Sequence, residues 1–253
     1  MHSIPFLDEH YPVRTICADN TDLQRYNCLR TRSDVRAALD DYLNMPLKRV
    51  VTAHQARSGN VLAIFGMRAG GAGVLLGGTH AVPGNKYDAI VTSVPGVLMH
   101  VWAADCLPLF LYDPTEHVAA IVHGGWQSIC NGIVPNTMAV MTSCFDVRPE
   151  HVVAAFGPTI CQRCCEVDEG LVDAFSERFS ADELADIFGM GQRGKRLLSL
   201  RKAVMYELLR TGIRQERCYD TGICTYESEA YSSYRRDGLV GLDRQMIFGI
   251  VLL

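Results

Sequence analysis

Four apolar segments follow one another in the middle of the chain, at residues 89–92, 97–103, 107–112 and 118–123. Each is four to seven residues long, and the breaks between them contain Pro95-Gly96, residues 104–106 and Asp113-Pro114. Apolar runs of this length between turn sequences are typical of strands, because helices in globular proteins are usually longer. We therefore predict that residues 89–123 form the centre of a β-sheet.

Weaker patterns predict the elements around this centre. Strands are predicted at residues 50–54, 61–65, 74–76, 152–156 and 247–252, and helices at residues 34–43, 135–144, 169–179 and 200–209. The turn sequence Ser58-Gly59-Asn60 between the first two of these strands predicts a hairpin. Because the chain has no low-complexity linker and no repeat of fixed period, we predict a single domain over residues 1–253.

Composition narrows the class of protein. With 24 Lys+Arg against 28 Asp+Glu the formal net charge is −4, which gives no basic field for a nucleic-acid backbone. Hydrophobic residues make up 48% and charged residues 21%, so most of the chain can bury a core. No apolar run approaches the roughly 20 residues that cross a bilayer, and no signal-peptide pattern opens the sequence. We expect a soluble, cytoplasmic protein that binds neither nucleic acid nor membrane.

Ten cysteines are a high count for 253 residues. In a chain expected in the cytoplasm they indicate buried thiols, metal ligands or catalytic groups rather than a disulfide scaffold. Cys161, Cys164 and Cys165 have a spacing that resembles half of a zinc or redox motif, but no second Cys or His pair stands at a matching distance. We therefore expect these three cysteines to be structural.

The most reactive side chains lie at the ends of two neighbouring predicted strands. Cys106 directly precedes the strand at residues 107–112, and His123 ends the strand at residues 118–123. If these strands pair as a hairpin, the thiol and the imidazole lie at the same end of the sheet. Such a pair can be two ligands of a zinc site, a nucleophile with its general base, or a buried thiol beside a structural histidine.

A zinc site needs a third protein ligand, and three histidines are candidates for it. His54 ends a predicted strand, His80 lies in a glycine-rich segment, and His100 lies within the strand at residues 97–103. Each of them alone is more often structural than a ligand. Near the end of the chain, Arg235 and Arg236 can bind phosphate, brace a loop or face solvent.

Several of these motifs occur together in one order along the chain. They are residues 87–92 (Tyr-Asp-Ala-Ile-Val-Thr), 95–97 (Pro-Gly-Val), 104–108 (Ala-Asp-Cys-Leu-Pro), 123–126 (His-Gly-Gly-Trp), 156–160 (Phe-Gly-Pro-Thr-Ile), 164–167 (Cys-Cys-Glu-Val), 224–225 (Cys-Thr) and 233–238 (Ser-Tyr-Arg-Arg-Asp-Gly). The set resembles one family, the YfiH/YlmD-like laccase-domain proteins, which are regarded as purine nucleoside phosphorylases. The resemblance runs from about residue 50 to the end of the chain and fades over residues 1–48.

The resemblance implies an α+β fold, a mixed β-sandwich flanked by helices, like YfiH-like and cytotoxic necrotizing factor-like proteins. It implies a zinc ion held by His, Cys and His at one end of the sheet. It also implies phosphorolysis of adenosine, inosine, guanosine and methylthioadenosine, with adenosine deamination as a further activity. The expected partners are a purine nucleoside and phosphate, and the expected assembly is a monomer or a small homo-oligomer. Multicopper oxidation is not expected, because the candidate ligands cannot supply several copper sites.

Carried onto this sequence, the resemblance makes Cys106 and His123 the catalytic residues and two of the zinc ligands. The family's other ligand lies in a Gln-x-His segment, which in this chain is Gln55-Ala56-Arg57. A guanidinium cannot ligate zinc. The remaining ligand is therefore expected to be His80, with His54 as the alternative.

The resemblance also leads to expectations about the substrate. The expected contacts to substrate and phosphate are Arg57, Gln55, Gly124 and Gly125. Two other functions stay open because of Arg57. One is a metal-free hydrolase in which Cys106 is the nucleophile and His123 its base, which resembles the deamidase chemistry of cytotoxic necrotizing factors. The other is an inactive relative that binds a nucleoside or a protein partner.

Overall fold

Strands and helices alternate along the chain in a computed structural model that describes residues 2–20, 22, 42, 43, 45, 47–67, 74–77, 86–240 and 244–253. The strands β1–β14 are Val13–Cys17, Arg49–Thr52, Val61–Met67, Val74–Gly77, Ala89–Thr92, Val97–Ala103, Leu107–Asp113, Val118–Gly124, Val153–Phe156, Glu166–Asp168, Phe188–Met190, Lys195–Leu198, Cys218–Asp220 and Met246–Leu252. The helices α1–α7 are Pro5–His10, Trp126–Cys130, Ile133–Phe145, Leu171–Ser176, Ala181–Ile187, Leu200–Thr211 and Tyr234–Asp237.

Two mixed sheets form the body of the fold. One has four strands in the order β1-β14-β6-β2, and the other has seven in the order β13-β9-β7-β8-β5-β3-β4. A small sheet has the order β10-β12-β11. In the large sheets β2 pairs with β6, β3 with β5 and β13 with β9 in parallel, and the remaining pairs are antiparallel. The expected mixed β-sandwich flanked by helices is thereby confirmed.

Strand β7, inside the seven-stranded sheet, is buried on both faces. Phe110 and Tyr112 pack into a cluster with Phe248 of the four-stranded sheet, so they fill the space between the two sheets. Leu109 and Leu111 belong to a second cluster that includes residues of helices α3 and α6. Successive side chains of a strand point to opposite faces, so each face of this strand contributes to a different core.

The hairpin predicted at the centre of the sheet is present. Strands β7 and β8 pair antiparallel from Leu107 opposite Gly124 to Asp113 opposite Val118. This pairing joins segments close in sequence, and the predicted break at Asp113-Pro114 marks the end of β7 and the start of the turn at residues 114–117.

The second predicted hairpin, at residues 50–65, is wrong. Strand β2 lies in the four-stranded sheet beside β6, whereas β3 lies in the seven-stranded sheet beside β5. Residues 53–60 therefore cross from one sheet to the other and do not form a tight turn. The carboxylate of Asp88 accepts hydrogen bonds from the backbone N–H groups of Ala56, Arg57 and Ser58 and fixes this crossing.

Among the predicted helices, two agree closely with the structure and one does not. Helix α3 covers the predicted residues 135–144, and α6 ends at Gly212, which has the left-handed φ of 98° that favours glycine after a helix. The helix predicted at residues 169–179 is only Leu171–Ser176, and the preceding Asp168 lies in β10, where its side chain pairs with Lys195. Residues 34–41 of another predicted helix lie outside the described residues. None of the helices in the described ranges is long and apolar enough to span a bilayer.

Candidate active site

The β7–β8 hairpin brings Cys106 and His123 to one end of the seven-stranded sheet. Pro108 is paired with His123 and Leu107 with Gly124, so Cys106 enters the hairpin at the point where Gly125 leaves it. The thiol of Cys106 and the imidazole of His123 lie side by side at this end of the sheet. His123 is buried, and Cys106 is partly buried. The juxtaposition predicted from the two strand ends is present in the structure.

Gly125 leaves a small open space beside these two side chains. A Cβ at this position would lie 3.3 Å from Cys106 Sγ, 3.2 Å from His123 Cε1 and 3.5 Å from His123 Nε2. The backbone of Gly125 has an ordinary φ of −76°, so its conformation does not require glycine. Glycine is required here because any side chain would fill the space above the Cα of Gly125. This space is where a ligand can reach the sulfur and the imidazole nitrogen together.

Asp88 orients His123 from the other side of the ring. Its Oδ1 lies 2.8 Å from His123 Nδ1, and the carboxylate is fully buried. Burial by itself lowers the pKa of His123, but the charge of Cys106 and the hydrogen bonds and charge of Asp88 outweigh burial and raise this pKa to about 9. The hydrogen bond fixes the ring so that Nε2 faces Cys106.

The same carboxylate holds the loop that crosses between the sheets. Besides the three backbone N–H groups of residues 56–58, the hydroxyl groups of Ser58 and Ser128 donate to Asp88, at 2.8 and 3.3 Å. Burial by itself raises the pKa of Asp88, but the hydrogen bonds from His123 and Ser58 outweigh it and lower this pKa. Asp88 is therefore an anion that couples the loop to the imidazole.

Arg57 and Gln55 lie on this loop in different roles. Arg57 is exposed, with a φ of 60°, and one guanidinium nitrogen donates to Gln127 Oε1 at 3.2 Å. Gln127 lies in the first turn of α2, two residues after Gly125, so the Arg57 side chain is tethered beside the site. The Gln55 Nε2 donates to the Trp102 carbonyl oxygen at 2.7 Å, and the Gln55 Oε1 accepts from the Trp102 N–H at 2.8 Å. These two hydrogen bonds connect the loop to β6.

Gly124 is the remaining expected substrate contact. It lies within strand β8, opposite Leu107. A Cβ there would lie 3.0 Å from the carbonyl oxygen of Leu107, so the close approach of the two strands leaves little room for a side chain. Its observed contacts are therefore to the hairpin itself.

The three candidates for a third zinc ligand are placed differently. His54 is exposed, and within the described residues it joins Cys106 and His123 in no group whose ligand atoms lie within 4.8 Å of one another. His100 is buried with its Nε2 against the Thr52 hydroxyl at 2.7 Å, on the strand face opposite to Met99 and Val101. His80 lies outside the described residues.

The donors present at this end of the sheet fit a zinc ion. A cysteine sulfur and an imidazole nitrogen face one space, and the second imidazole nitrogen is held by a carboxylate, which is the usual arrangement behind a metal-bound histidine. The same three groups also have the order of a nucleophile, a base and a group that orients the base. The geometry around Cys106 therefore supports either chemistry.

The paired arginines near the end of the chain brace a loop. The guanidinium of Arg236 donates to the carbonyl oxygens of Thr225, Tyr226, Ser228 and Tyr231. The backbone N–H of Arg235 donates to Asp105 Oδ2 at 2.7 Å, directly before Cys106 in sequence. Of the three roles open from the sequence, the structure favours the bracing of a loop.

Sequence reasoning missed two acidic residues. Asp88 was noted only as part of a motif, although an aspartate directly before a buried strand is a signal for a polar group at a sheet end. Glu227 was not considered, and it lies with Cys161, Cys164 and Cys224 in a group whose ligand atoms all fall within 4.8 Å of one another and can hold a metal ion. The signal was the equal spacing of Cys161-x-x-Cys164 and Cys224-x-x-Glu227.

Comparisons with known proteins agree with this fold. "Purine nucleoside phosphorylase SCO2081" of Streptomyces coelicolor is 34% identical over 164 residues, which cover 65% of this chain and 64% of that protein. "Purine nucleoside phosphorylase YfiH" of Shigella flexneri is 32% identical over 157 residues, 62% of this chain and 61% of the relative. The chain thus spans less than two thirds of the length of these curated relatives.

A solved structure and a family model extend the match over most of the chain. The crystal structure of YlmD from Geobacillus stearothermophilus superposes with a TM-score of 0.72 and 25% identity, covering 88% of this chain and 81% of that one. The model of the family described as "Multi-copper polyphenol oxidoreductase laccase" matches residues 28–249. This chain therefore belongs to that laccase-domain family.

Proposed function

We propose that this protein is a zinc-dependent purine nucleoside phosphorylase. The observation that carries the proposal is the convergence of Cys106 Sγ and His123 Nε2 on the space above Gly125, with His123 fixed by Asp88. The names of the curated relatives support the reaction class. Cys106, His123 and His80 would hold the zinc ion, which when bound supplies a Lewis acid at the end of the sheet.

In the proposed reaction an oxygen of inorganic phosphate forms a bond to C1′ of the ribose. The bond between C1′ and N9 of the purine breaks, its electron pair leaves with the base, and the base takes up a proton. The proposed substrates are adenosine, inosine, guanosine and methylthioadenosine. Removal of the 6-amino group of adenosine by water is a second proposed activity.

Arg57 is the proposed phosphate contact. Its guanidinium has five N–H donors, and one of its nitrogens donates a hydrogen bond to Gln127 Oε1. The remaining donors suit the planar, two-point binding of a phosphate group. The side-chain amide of Gln55 is hydrogen-bonded to the backbone of Trp102. In this proposal Gln55 therefore supports the loop, and Arg57 alone binds the phosphate.

The test is phosphate-dependent cleavage of inosine by the full-length chain. Release of hypoxanthine and formation of ribose 1-phosphate are measured with and without inorganic phosphate, for the wild type, Cys106→Ser and the matched control Cys144→Ser on helix α3. We expect both products only with phosphate present, in the wild type and in Cys144→Ser but not in Cys106→Ser. No phosphate-dependent product in the wild type, at any zinc loading, would contradict the proposal.

A metal-free cysteine hydrolase is the second candidate. The observation that favours it is the Cys106 thiol beside the His123 imidazole, with Asp88 on the other side of the ring, because this order of groups activates a thiol nucleophile. Its activity would survive a chelator and need no phosphate, and alkylation of Cys106 would abolish it. A purine that raises the thermal unfolding midpoint without any turnover would instead point to an inactive binding relative.

A further inference from the structure

A second group of potential ligands lies apart from Cys106 and His123. The sulfur atoms of Cys161, Cys164 and Cys224 and a carboxylate oxygen of Glu227 all lie within 4.8 Å of one another. Cys224 is buried, Cys161 and Cys164 are partly buried, and Glu227 is exposed. We call these four residues the cysteine–glutamate cluster. It is accessible from solvent on the Glu227 side.

Two short backbone turns present the ligands of the cluster. The first, which includes the 3-10 helix Gln162–Cys164, is closed by a hydrogen bond from Cys164 N–H to the Cys161 carbonyl, at 3.1 Å. The second is closed by a hydrogen bond from Ser228 N–H to the Cys224 carbonyl, at 3.0 Å. In each turn the ligands are three positions apart, so both face the same side. This is the arrangement by which two Cys-x-x-Cys turns surround a metal ion.

Backbone hydrogen bonds lock the two turns against each other. Thr159 and Cys224 form a parallel β-bridge, and the N–H of Cys161 donates to Cys224 Sγ at 3.2 Å. The scaffold of the cluster is therefore set by the main chain.

The donor set selects the metal. Three sulfur atoms exclude magnesium and calcium, which prefer oxygen ligands, and four protein ligands without an open position are typical of structural zinc. With Zn–S bonds of about 2.3 Å, ligand atoms around a tetrahedron are about 3.8 Å apart, so the cluster needs to contract by at most about 1 Å. Side-chain rotations alone can supply a movement of this size.

Arg163 compensates the charge of such a site. Its guanidinium donates two hydrogen bonds to Glu227, at 2.5 and 2.6 Å. Three thiolates and a carboxylate around a divalent ion leave a net charge of about −2, and the guanidinium offsets about half of it. Because Arg163 donates to both carboxylate oxygens, it also fixes the Glu227 side chain in place.

The cluster is connected to the segment that carries Cys106. The hydroxyl of Thr159 donates to the Asp105 carbonyl and that of Thr225 to Asp105 Oδ1, both at 2.6 Å. The N–H of Ile160 donates to the same carbonyl at 3.1 Å. Asp105 has a φ of 86°, a conformation that costs a non-glycine residue energy and needs support from its surroundings. Both turns of the cluster thus hold the residue that directly precedes Cys106.

We propose that Cys161, Cys164, Cys224 and Glu227 form a structural zinc site, separate from the site at Cys106 and His123, that clamps the Asp105–Cys106 segment. The proposal does not depend on the reaction that the protein catalyses. It requires only that the full chain binds zinc at these four residues.

The first test counts metal ions by elemental mass spectrometry on protein purified without chelator or histidine tag. We expect Cys161→Ser and Cys224→Ser each to lose one zinc ion per chain relative to the wild type. Cys144→Ser, a matched change on helix α3, should lose none. Glu227→Cys should keep the zinc, because a fourth thiolate replaces the carboxylate, and Cys106→Ser must leave this zinc ion bound. Equal zinc contents in the wild type, Cys161→Ser and Cys224→Ser would overturn the proposal.

A second test needs no variant of the cluster and is therefore independent of whether Cys161→Ser and Cys224→Ser fold. Cobalt replaces zinc in the wild type and in Cys106→Ser, and thiolate-to-cobalt charge-transfer absorption is recorded. We expect Cys106→Ser to keep the absorption of a site with three thiolates. Iodoacetamide should label Cys161, Cys164 and Cys224 only after a chelator has removed the metal. Labelling that a chelator does not change, or a disulfide between two of these cysteines after anaerobic purification, would overturn the proposal.

Discussion

Replacing His100 with glutamine removes a histidine that the fold holds in its neutral form. The imidazole is completely buried on strand β6, its Nε2 contacts the Thr52 hydroxyl at 2.7 Å, and its Nδ1 has no hydrogen-bond partner among the described residues. The ring also packs edge-on against Trp102, with centroids 5.6 Å apart. Burial lowers the pKa of His100 from 6.5 to about 4. The charged form is therefore disfavoured in the native state.

The size and sign of the effect on stability follow from this difference in pKa. As the pH falls below 6.5 the unfolded chain binds a proton at His100 while the native chain does not, so the free energy of unfolding decreases until the pH reaches about 4. Each pKa unit is worth about 1.4 kcal/mol, so the full loss is about 3 kcal/mol. Between about pH 8 and about pH 5 the loss from His100 alone is about 2 kcal/mol.

Urea unfolding at about pH 8 and about pH 5 measures this loss for the wild type, His100→Gln and Thr52→Val. Other titrating groups contribute to each variant alike, so the difference between variants isolates His100. We expect the loss on acidification to be about 2 kcal/mol smaller in His100→Gln than in the wild type. In Thr52→Val it should stay near the wild-type value, because the imidazole remains buried. An equal loss in the wild type and His100→Gln would refute the reasoning.

Four further changes test the site and the fold. Asp88→Asn removes the charge that orients His123 and should lower phosphorolysis roughly 10- to 100-fold, measured as kcat/KM for inosine. Gly125→Ala places a methyl group 3.3 Å from Cys106 Sγ, so we expect activity to be lost while the thermal unfolding midpoint stays near that of the wild type. Arg57→Gln should raise the KM for phosphate roughly 10-fold and leave kcat nearly unchanged, and a fall in kcat alone would contradict its role in binding. Gly212→Ala, at a φ of 98°, should lower the free energy of unfolding by about 1 kcal/mol in urea titrations.

The sequence predicts well those parts of the fold that depend on neighbouring segments. The β7–β8 hairpin joins segments that follow each other directly in sequence, and the proximity of Cys106 and His123 follows from it. The alternation of apolar residues does not tell which sheet a strand joins. For this reason β2 and β3, adjacent in sequence, were predicted as a hairpin although each pairs with a later strand of a different sheet.

The parts of the site that the sequence does not reveal depend on contacts between distant residues. Asp88 meets the backbone of residues 56–58 and the ring of His123, which lie about 30 residues before and 35 residues after it. Likewise, Cys224 lies 63 residues after Cys161, and a search for pairs of cysteines or histidines overlooks a glutamate as the fourth ligand. Spacing within one segment is visible in a sequence, whereas packing between segments is not.

The way Asp88 holds the crossing loop bears on which amino acids position 57 tolerates. Its carboxylate binds the main-chain N–H of Arg57 and leaves the side chain outside. Any residue with an N–H can make this bond, so the loop keeps its shape with most side chains at this position. Proline is excluded because it lacks the N–H, and β-branched residues are disfavoured at a φ of 60°. A library of variants at position 57 should therefore fold almost uniformly while it samples different chemistries at the mouth of the site, which makes this position a practical entry point for changing what the protein binds.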